Sequence, residues 1–100
     1  AALWQDSAAM HYNLGCCYNQ CALYEPAIQE FRRALDLDPK MTDCLINLGS
    51  SYQVLGRSDE AIEYFKGYLK KNPHSSDAET VRGMIKALEK YKKDHVASDP

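Results

Sequence analysis

The chain repeats itself with a period of 34 residues, and this restricts the fold more than any other feature. When residues 8–41 are laid over residues 42–75, nine positions are identical, whereas unrelated segments of this composition would share roughly two. The identical pairs are Asn13/Asn47, Leu14/Leu48, Gly15/Gly49, Tyr18/Tyr52, Ala27/Ala61, Ile28/Ile62, Phe31/Phe65, Leu35/Leu69 and Pro39/Pro73. A period of this length is typical of repeat proteins in which each unit buries its apolar face against the next.

The first half of each repeat predicts an amphipathic helix, because its apolar residues recur with helical spacing. They are Met10, Leu14, Cys17 and Cys21 in one repeat, and Cys44, Leu48, Ser51 and Leu55 in the other. Gly56 stands where this helix should end in the second repeat. Because the two sets occupy the same repeat positions, we expect both to be buried.

The second half of each repeat predicts another helix. Its apolar residues are Ala27, Ile28, Phe31, Ala34 and Leu35, matched by Ala61, Ile62, Phe65, Tyr68 and Leu69. Ser58 is the expected N-cap in the second repeat, and Pro39 and Pro73 are expected to end these helices. Gly15 and Gly49 interrupt the first helices at a cost of about 1 kcal/mol each relative to Ala, which indicates a close helix crossing. Ala27 and Ala61 are the expected small partners there.

A fifth helix is predicted after the second repeat. Ser76 and Glu79 form a capping-box pattern, and Ala78, Val81, Ile85 and Leu88 give an apolar stripe. The sequence therefore predicts an all-α, right-handed α-solenoid with two helix-turn-helix units and a C-terminal capping helix. The predicted segments are residues 1–7 (the end of an upstream repeat, or a linker), the units 8–41 and 42–75, the capping helix 76–93 and a disordered tail, 94–100.

These residues resemble the tetratricopeptide-repeat family. The resemblance rests on Asn13-Leu14-Gly15, Tyr18, Ala27, Phe31, Ala34 and Pro39, and on their counterparts in the second repeat. The sequence departs from the family at His11 and Leu45, where the family often has an aromatic residue. The resemblance implies protein–protein interaction, with an extended peptide or short helix bound in the concave groove that the first helices form.

A helical wheel that buries Leu14, Cys17, Leu48 and Ser51 predicts the side chains of this groove. They are Tyr12, Asn13, Cys16, Asn19, Gln20, Asp43, Ile46, Asn47, Ser50, Gln53 and Val54, with Met84 and Leu88 on the last helix, where Val81 takes the place of Asn47. The two first helices offer no Lys or Arg to this face, so a clamp for a C-terminal carboxylate is not expected. Asn13 and Asn47 instead resemble the asparagine ladders of long repeat arrays, which suits the backbone of a neutral or mildly basic peptide.

Charge and hydropathy exclude several classes of protein. Formal net charge is −2, and residues 1–50 carry three Lys or Arg against six Asp or Glu, so no nucleic-acid footprint is expected. No apolar run approaches the 18 or so residues of a membrane span.

The cysteines and histidines predict neither a metal site nor catalysis. Cys17 and Cys21 are expected in the core, and Cys16 is expected to face the groove as the most reactive thiol. The three histidines, His11, His74 and His95, are scattered, and none is within helical reach of a nucleophile and an orienting carboxylate. We therefore expect no enzyme activity and no cofactor. Four cysteines in a helical chain weakly favour a reducing, cytoplasmic location.

Besides peptide binding, the sequence is compatible with two other functions. The module could be a self-associating structural unit, or it could be the substrate-docking arm of a larger enzyme, as in the repeat arrays of some glycosyltransferases.

Overall fold

The computed structural model describes residues 7–97, and within that range the chain forms five α-helices and no strand. The helices are α1 (Ala8–Gln20), α2 (Tyr24–Leu37), α3 (Asp43–Val54), α4 (Ser58–Lys71) and α5 (Ala78–Ala97). Each helix packs against the next one in sequence, most extensively α1 with α2 and α3 with α4. The two repeats are thus two helical hairpins closed by a fifth helix, and the prediction of an all-α solenoid is confirmed.

The turns between the paired helices differ in one informative way. Gly56 follows α3 with φ +77°, a left-handed conformation that costs glycine little. Its counterpart after α1 is Ala22, which adopts φ +61° although it carries a Cβ. The repeat geometry therefore requires a left-handed residue at this position, and the first repeat meets the requirement with strain.

Helix boundaries correct three sequence predictions. Ser58 is the first residue of α4 rather than its cap, since Arg57 takes that place. Ser76 lies in a turn, and α5 begins only at Ala78. α5 also continues to Ala97, through four residues predicted as tail, because no Gly or Pro interrupts the chain there. Residues 1–6 and 98–100, which include most of the predicted upstream segment and the end of the predicted tail, lie outside the described residues.

Gly15 of α1 and Gly49 of α3 lie under phenylalanine rings. A Cβ added to Gly49 would stand 2.5 Å from Cε1 of Phe65, and one added to Gly15 would stand 2.8 Å from Cε1 of Phe31. Both rings are completely buried. A close approach at these glycines was correctly predicted, and the atoms nearest to an added Cβ belong to the rings of Phe31 and Phe65 rather than to Ala27 and Ala61.

The apolar stripe is buried in α3 but not in α1. Leu48 is 0% exposed, whereas Leu14 at the same repeat position is 39% exposed. Cys17 is also exposed, whereas its counterpart Ser51 is buried. The prediction that Leu14 and Cys17 lie inside is therefore wrong, because α2 packs on α3 and no described element covers this side of α1.

α5 closes the opposite end of the array. Its side chains Val81, Ile85 and Leu88 join the core. Two ion pairs tie it to α4: Lys66 Nζ lies 3.4 Å from Glu89 Oε2, and Lys92 pairs with Asp59. Among residues 7–97 no further helix follows α5, which buries one stripe against α4 and leaves a charged face to solvent.

Candidate functional site

The candidate groove is built where α1 meets α3. Tyr12 of α1 packs its ring against Phe31 at 5.8 Å between centroids, with the planes tilted by 59°. Its hydroxyl lies near the Asn47 side chain of α3. The Asn47 amide lowers the pKa of Tyr12, but burial and the neighbouring Cys16 and Asp43 raise it, and the net direction is upwards. Tyr12 therefore stays a neutral phenol at neutral pH.

A second polar link joins α1 to α3. Ser51 Oγ lies 3.0 Å from Asn19 Oδ1 and 2.9 Å from the Asn47 backbone oxygen, so its single hydrogen is shared between two acceptors. Asn19 is half-buried by this contact. Asn19 was predicted only as a groove residue, but its hydrogen bond with Ser51 links the first repeat to the second.

The predicted groove residues divide by exposure. Asn13, Gln20, Asp43, Gln53 and Val54 are exposed, whereas Tyr12, Cys16, Asn19, Ile46, Asn47, Ser50 and Met84 are half-buried. Four of the half-buried residues (Tyr12, Cys16, Ile46 and Met84) pack against the core. Asn13 and Asn47 are consequently not equivalent rungs of a ladder, since one is open to solvent and the other is half-buried.

The cysteines differ from their predicted environments. Cys17 and Cys21 are exposed, whereas Cys16 is half-buried, so the prediction that Cys17 and Cys21 lie in the core is wrong. Cys44 is completely buried, as predicted, and this burial, together with nearby Asp43, raises its pKa to about 11. No disulfide joins any of the four cysteines, all of which fall within the described residues.

A cavity of about 390 Å³ extends the candidate groove towards α5. It is lined by Gln53, Gly56, Ser58, Ala87, Leu88 and Tyr91. Ala87 and Tyr91 were not predicted, although Ala87 stands one period of 34 residues after Gln53; the counterpart of Tyr91 is Arg57, outside the first helix of its repeat. Val81, at the repeat position of Asn47, lies in the core at 1% exposure, whereas Leu88, predicted for the groove floor, is 6% exposed and lines this cavity.

Another concavity, of about 450 Å³, lies where α4 meets α2 and α3. Tyr52 and Tyr64 stack in its wall with centroids 5.5 Å apart. The guanidinium of Arg57 lies 4.9 Å from the centre of the Tyr52 ring and bonds Glu60 at 2.7 Å. Because this cation already uses the aromatic face and the carboxylate, the concavity is a weaker candidate for a ligand.

The part of the chain that the structure describes offers neither a metal site nor a membrane span. No three His, Cys, Asp or Glu side chains there are grouped so as to hold a metal ion. No helix there is both long and apolar enough to cross a membrane.

The chain was compared with protein-family models, curated protein sequences and solved structures. Residues 23–85 match the family model described as "Tetratricopeptide repeat". Among 32 matching chains of solved structures is that of MamA protein, with 26% sequence identity and a TM-score of 0.67. The match covers 87% of this chain but 51% of the MamA chain, so this chain spans about half the length of that relative. No curated protein sequence matches.

Repeats of this family generally serve as protein-interaction modules, and their fold is typically a non-enzymatic scaffold. The match covers α2, both helices of the second repeat and the first part of α5. The chain belongs to the tetratricopeptide-repeat family.

Proposed function

We propose that this chain is a non-catalytic scaffold that binds an extended, neutral or mildly basic peptide segment in the groove along α1, α3 and α5. The observation that carries the proposal is the chemistry of the exposed groove positions. Asn13, Gln20 and Gln53 are amides, and Asp43 is the one charged residue that α1 and α3 place there. An amide both donates and accepts, so it can bond a peptide backbone whatever the peptide's side chains.

Asn47 is half-buried near Tyr12 and retains capacity for a ligand. A carboxamide has two N–H donors and two acceptor lone pairs, so one neighbouring hydroxyl leaves most of them available. Asn13 and Asn47 therefore offer one exposed and one half-buried amide to the peptide backbone.

The cavity beside α5 supports the same function at the other end of the groove. Ala87, Leu88 and Tyr91 give it an apolar wall next to the amide of Gln53. A peptide held by its backbone at α1 and α3 would place one apolar side chain here. The proposed ligand thus combines an uncharged or basic extended stretch with a hydrophobic residue.

The test begins with a peptide-display selection against the chain, followed by calorimetric titration of a selected peptide. Asn13→Ala combined with Asn47→Ala should weaken binding roughly 5- to 150-fold, since each lost hydrogen bond costs about 0.5–1.5 kcal/mol. Gln29→Ala is the matched control, because Gln29 is an exposed amide on α2 outside the groove. Thermal melting must show that the double variant remains folded. Unchanged affinity in the folded double variant, or selection of acidic peptides, contradicts the proposal.

A further inference from the structure

Charge is distributed unevenly along the described part of the chain. Residues 7–65 carry four Lys or Arg against eight Asp or Glu, whereas residues 66–94 carry eight Lys or Arg against four Asp or Glu. The formal charge is thus −4 for the first range and +4 for the second, which holds the second half of α4 and most of α5. The small net charge of the whole chain therefore conceals a strongly basic end.

The basic end includes one continuous stripe on α5, formed by Arg82, Lys86, Lys90 and Lys93 and called here the α5 basic face. At 3.6 residues per turn these positions fall within an arc of about 80° and extend about 17 Å along the helix. The three lysines are exposed, and the Arg82 side chain is 42% exposed. The α5 basic face lies outside the stripe of α5 that joins the core.

The residue types of α5 do not suit this face to burial under another apolar helix. In α3, Leu45 and Tyr52 are buried, and the Tyr52 ring stacks on Tyr64 of α4. One period of 34 residues later, α5 has Glu79 in place of Leu45 and Lys86 in place of Tyr52. Burying these charges under a helix that packs as α4 does would carry a large desolvation cost. The face is therefore a surface for water or for a charged partner.

The carboxylates of α5 do not neutralise this face. Glu79 pairs with Arg82 at 2.7 Å, and Glu89 pairs with Lys66 of α4 at 3.4 Å. Asp94, the third acid in the described part of α5, is exposed and lies beyond the last lysine. Among the described side chains, none forms an ion pair with any of the three lysines of the face.

This arrangement of like charges is unfavourable for an isolated helix. Arg82, Lys86 and Lys90 follow one another at four-residue spacing, at which like charges repel on a helix. The helix dipole favours cations only near the last turn, and α5 ends at Ala97, so it does not account for Lys86 or Lys90. An acidic partner would relieve the repulsion that the fold leaves in place.

An acidic helix of another protein matches this face better than other polyanions do. The lysines are spaced four and three residues apart, so carboxylates at the same spacing on a partner helix would meet them in register. A membrane surface is a poorer match, because the face has no Trp, Phe or Leu to insert among lipids. A nucleic acid is a poorer match, because the charge of −4 on residues 7–65 repels it.

We propose that the α5 basic face binds an acidic helix of a partner protein that carries three or more carboxylates on one side. The association is mainly electrostatic, so it is weak and falls with rising salt concentration. The cavity beside α5 is lined by Ala87, Leu88 and Tyr91 instead. The proposal is accordingly independent of peptide binding in the groove.

The probe is a synthetic, Ala-rich helix of about 20 residues with Glu on one side, at the spacing of the α5 lysines. Its binding to the 100-residue chain is measured by fluorescence anisotropy at about 50 mM salt. Lys86→Glu combined with Lys90→Glu should weaken binding at least ~10-fold, because two attractions become repulsions. Lys40→Glu combined with Lys71→Glu is the matched control, since it changes net charge equally at two exposed lysines outside the face and should weaken binding less than ~3-fold.

Two further comparisons locate the contact. Circular dichroism must show that each variant remains helical, and Lys86→Gln combined with Lys90→Gln should give an intermediate loss of affinity. Asn13→Ala combined with Asn47→Ala should leave binding of the acidic helix unchanged, which separates this surface from the groove. The selection of groove peptides is repeated on the variant with Lys86→Glu and Lys90→Glu, so that acidic peptides bound at α5 are not counted against the groove.

Four outcomes overturn the proposal. The chain does not bind the acidic helix at concentrations up to about 1 mM. The two charge-reversed variants lose affinity equally, which indicates an effect of net charge alone. A probe of the same composition, with Glu spread around the helix, binds as tightly. Duplex DNA, or vesicles of phosphatidylcholine and phosphatidylserine, bind more tightly than the acidic helix at the same salt concentration.

Discussion

The packing of Phe65 over Gly49 predicts that one substitution has opposite effects in two helices. Gly49→Ala adds a methyl group 2.5 Å from Cε1 and 2.7 Å from Cδ1 and Cζ of a ring that is completely buried. Real Cβ contacts this short do not occur, so the ring or the helix must move. Gly83→Ala, in α5, adds the same methyl group where nothing lies within 4 Å.

The expected magnitudes follow from two terms. Replacing a helical Gly by Ala stabilises by about 1 kcal/mol through backbone entropy, and this term is common to both variants. Overpacking a buried site costs about 1–3 kcal/mol, and the shortness of the contact with Phe65 places Gly49→Ala near the upper end. We therefore expect Gly49→Ala to destabilise by about 2 kcal/mol and Gly83→Ala to stabilise by about 1 kcal/mol.

Urea denaturation of both variants, followed by circular dichroism, measures the two free energies of unfolding. Gly15→Ala serves as an internal scale, because its added methyl group would meet Phe31 at 2.8 Å and should destabilise less than Gly49→Ala. If Gly49→Ala is neutral or stabilising, the Phe65 ring yields at little cost and the inferred close crossing does not constrain the fold. If Gly83→Ala is destabilising, the solvent side of α5 is not open.

Further predictions concern the turns and the thiols. Ala22→Gly should stabilise the fold by about 1 kcal/mol, because the left-handed conformation costs an L-residue about 1–2 kcal/mol and the greater entropy of an unfolded glycine offsets part of this gain. Gly56→Ala should destabilise the fold by a similar amount for the same reason. Thermal melting of both variants checks the two predictions. A native-state thiol titration near neutral pH should count Cys17 and Cys21 as fast-reacting groups and Cys44 as reactive only after unfolding; fast reaction of Cys44 contradicts its burial. Burial raises the pKa of Cys44 from its ordinary 9.0 to about 11, so above pH 9 the thiol ionises more readily in the unfolded chain than in the folded one. The stability that the buried neutral thiol contributes should therefore be complete below pH 9 and should be lost as the pH rises towards 11. Unfolding titrations across this range on the native chain and on Cys44→Ala should show a smaller loss in the variant.

The sequence alone was enough to identify the helices and their pairing. A 34-residue period with apolar residues at helical spacing admits few folds, and glycines recurring inside helices mark the positions of close approach. The positions of Gly56, Pro39 and Pro73 likewise located three helix ends to within two residues. These features are local, because they depend on backbone conformation and on spacing along one helix.

Burial at the edges of the array was decided by tertiary structure. Leu14 and Leu48 are the same residue at the same repeat position, yet only Leu48 is buried, because α2 packs on that side of α3 and no helix of residues 7–97 packs on that side of α1. The rotation of α5 likewise depends on its contact with α4, which buries Val81 and places Ala87 and Tyr91 beside Gln53. The periodicity of the sequence specifies which faces of a helix are apolar. Whether such a face is buried depends on a second element that packs against it, and that packing is decided by the tertiary structure.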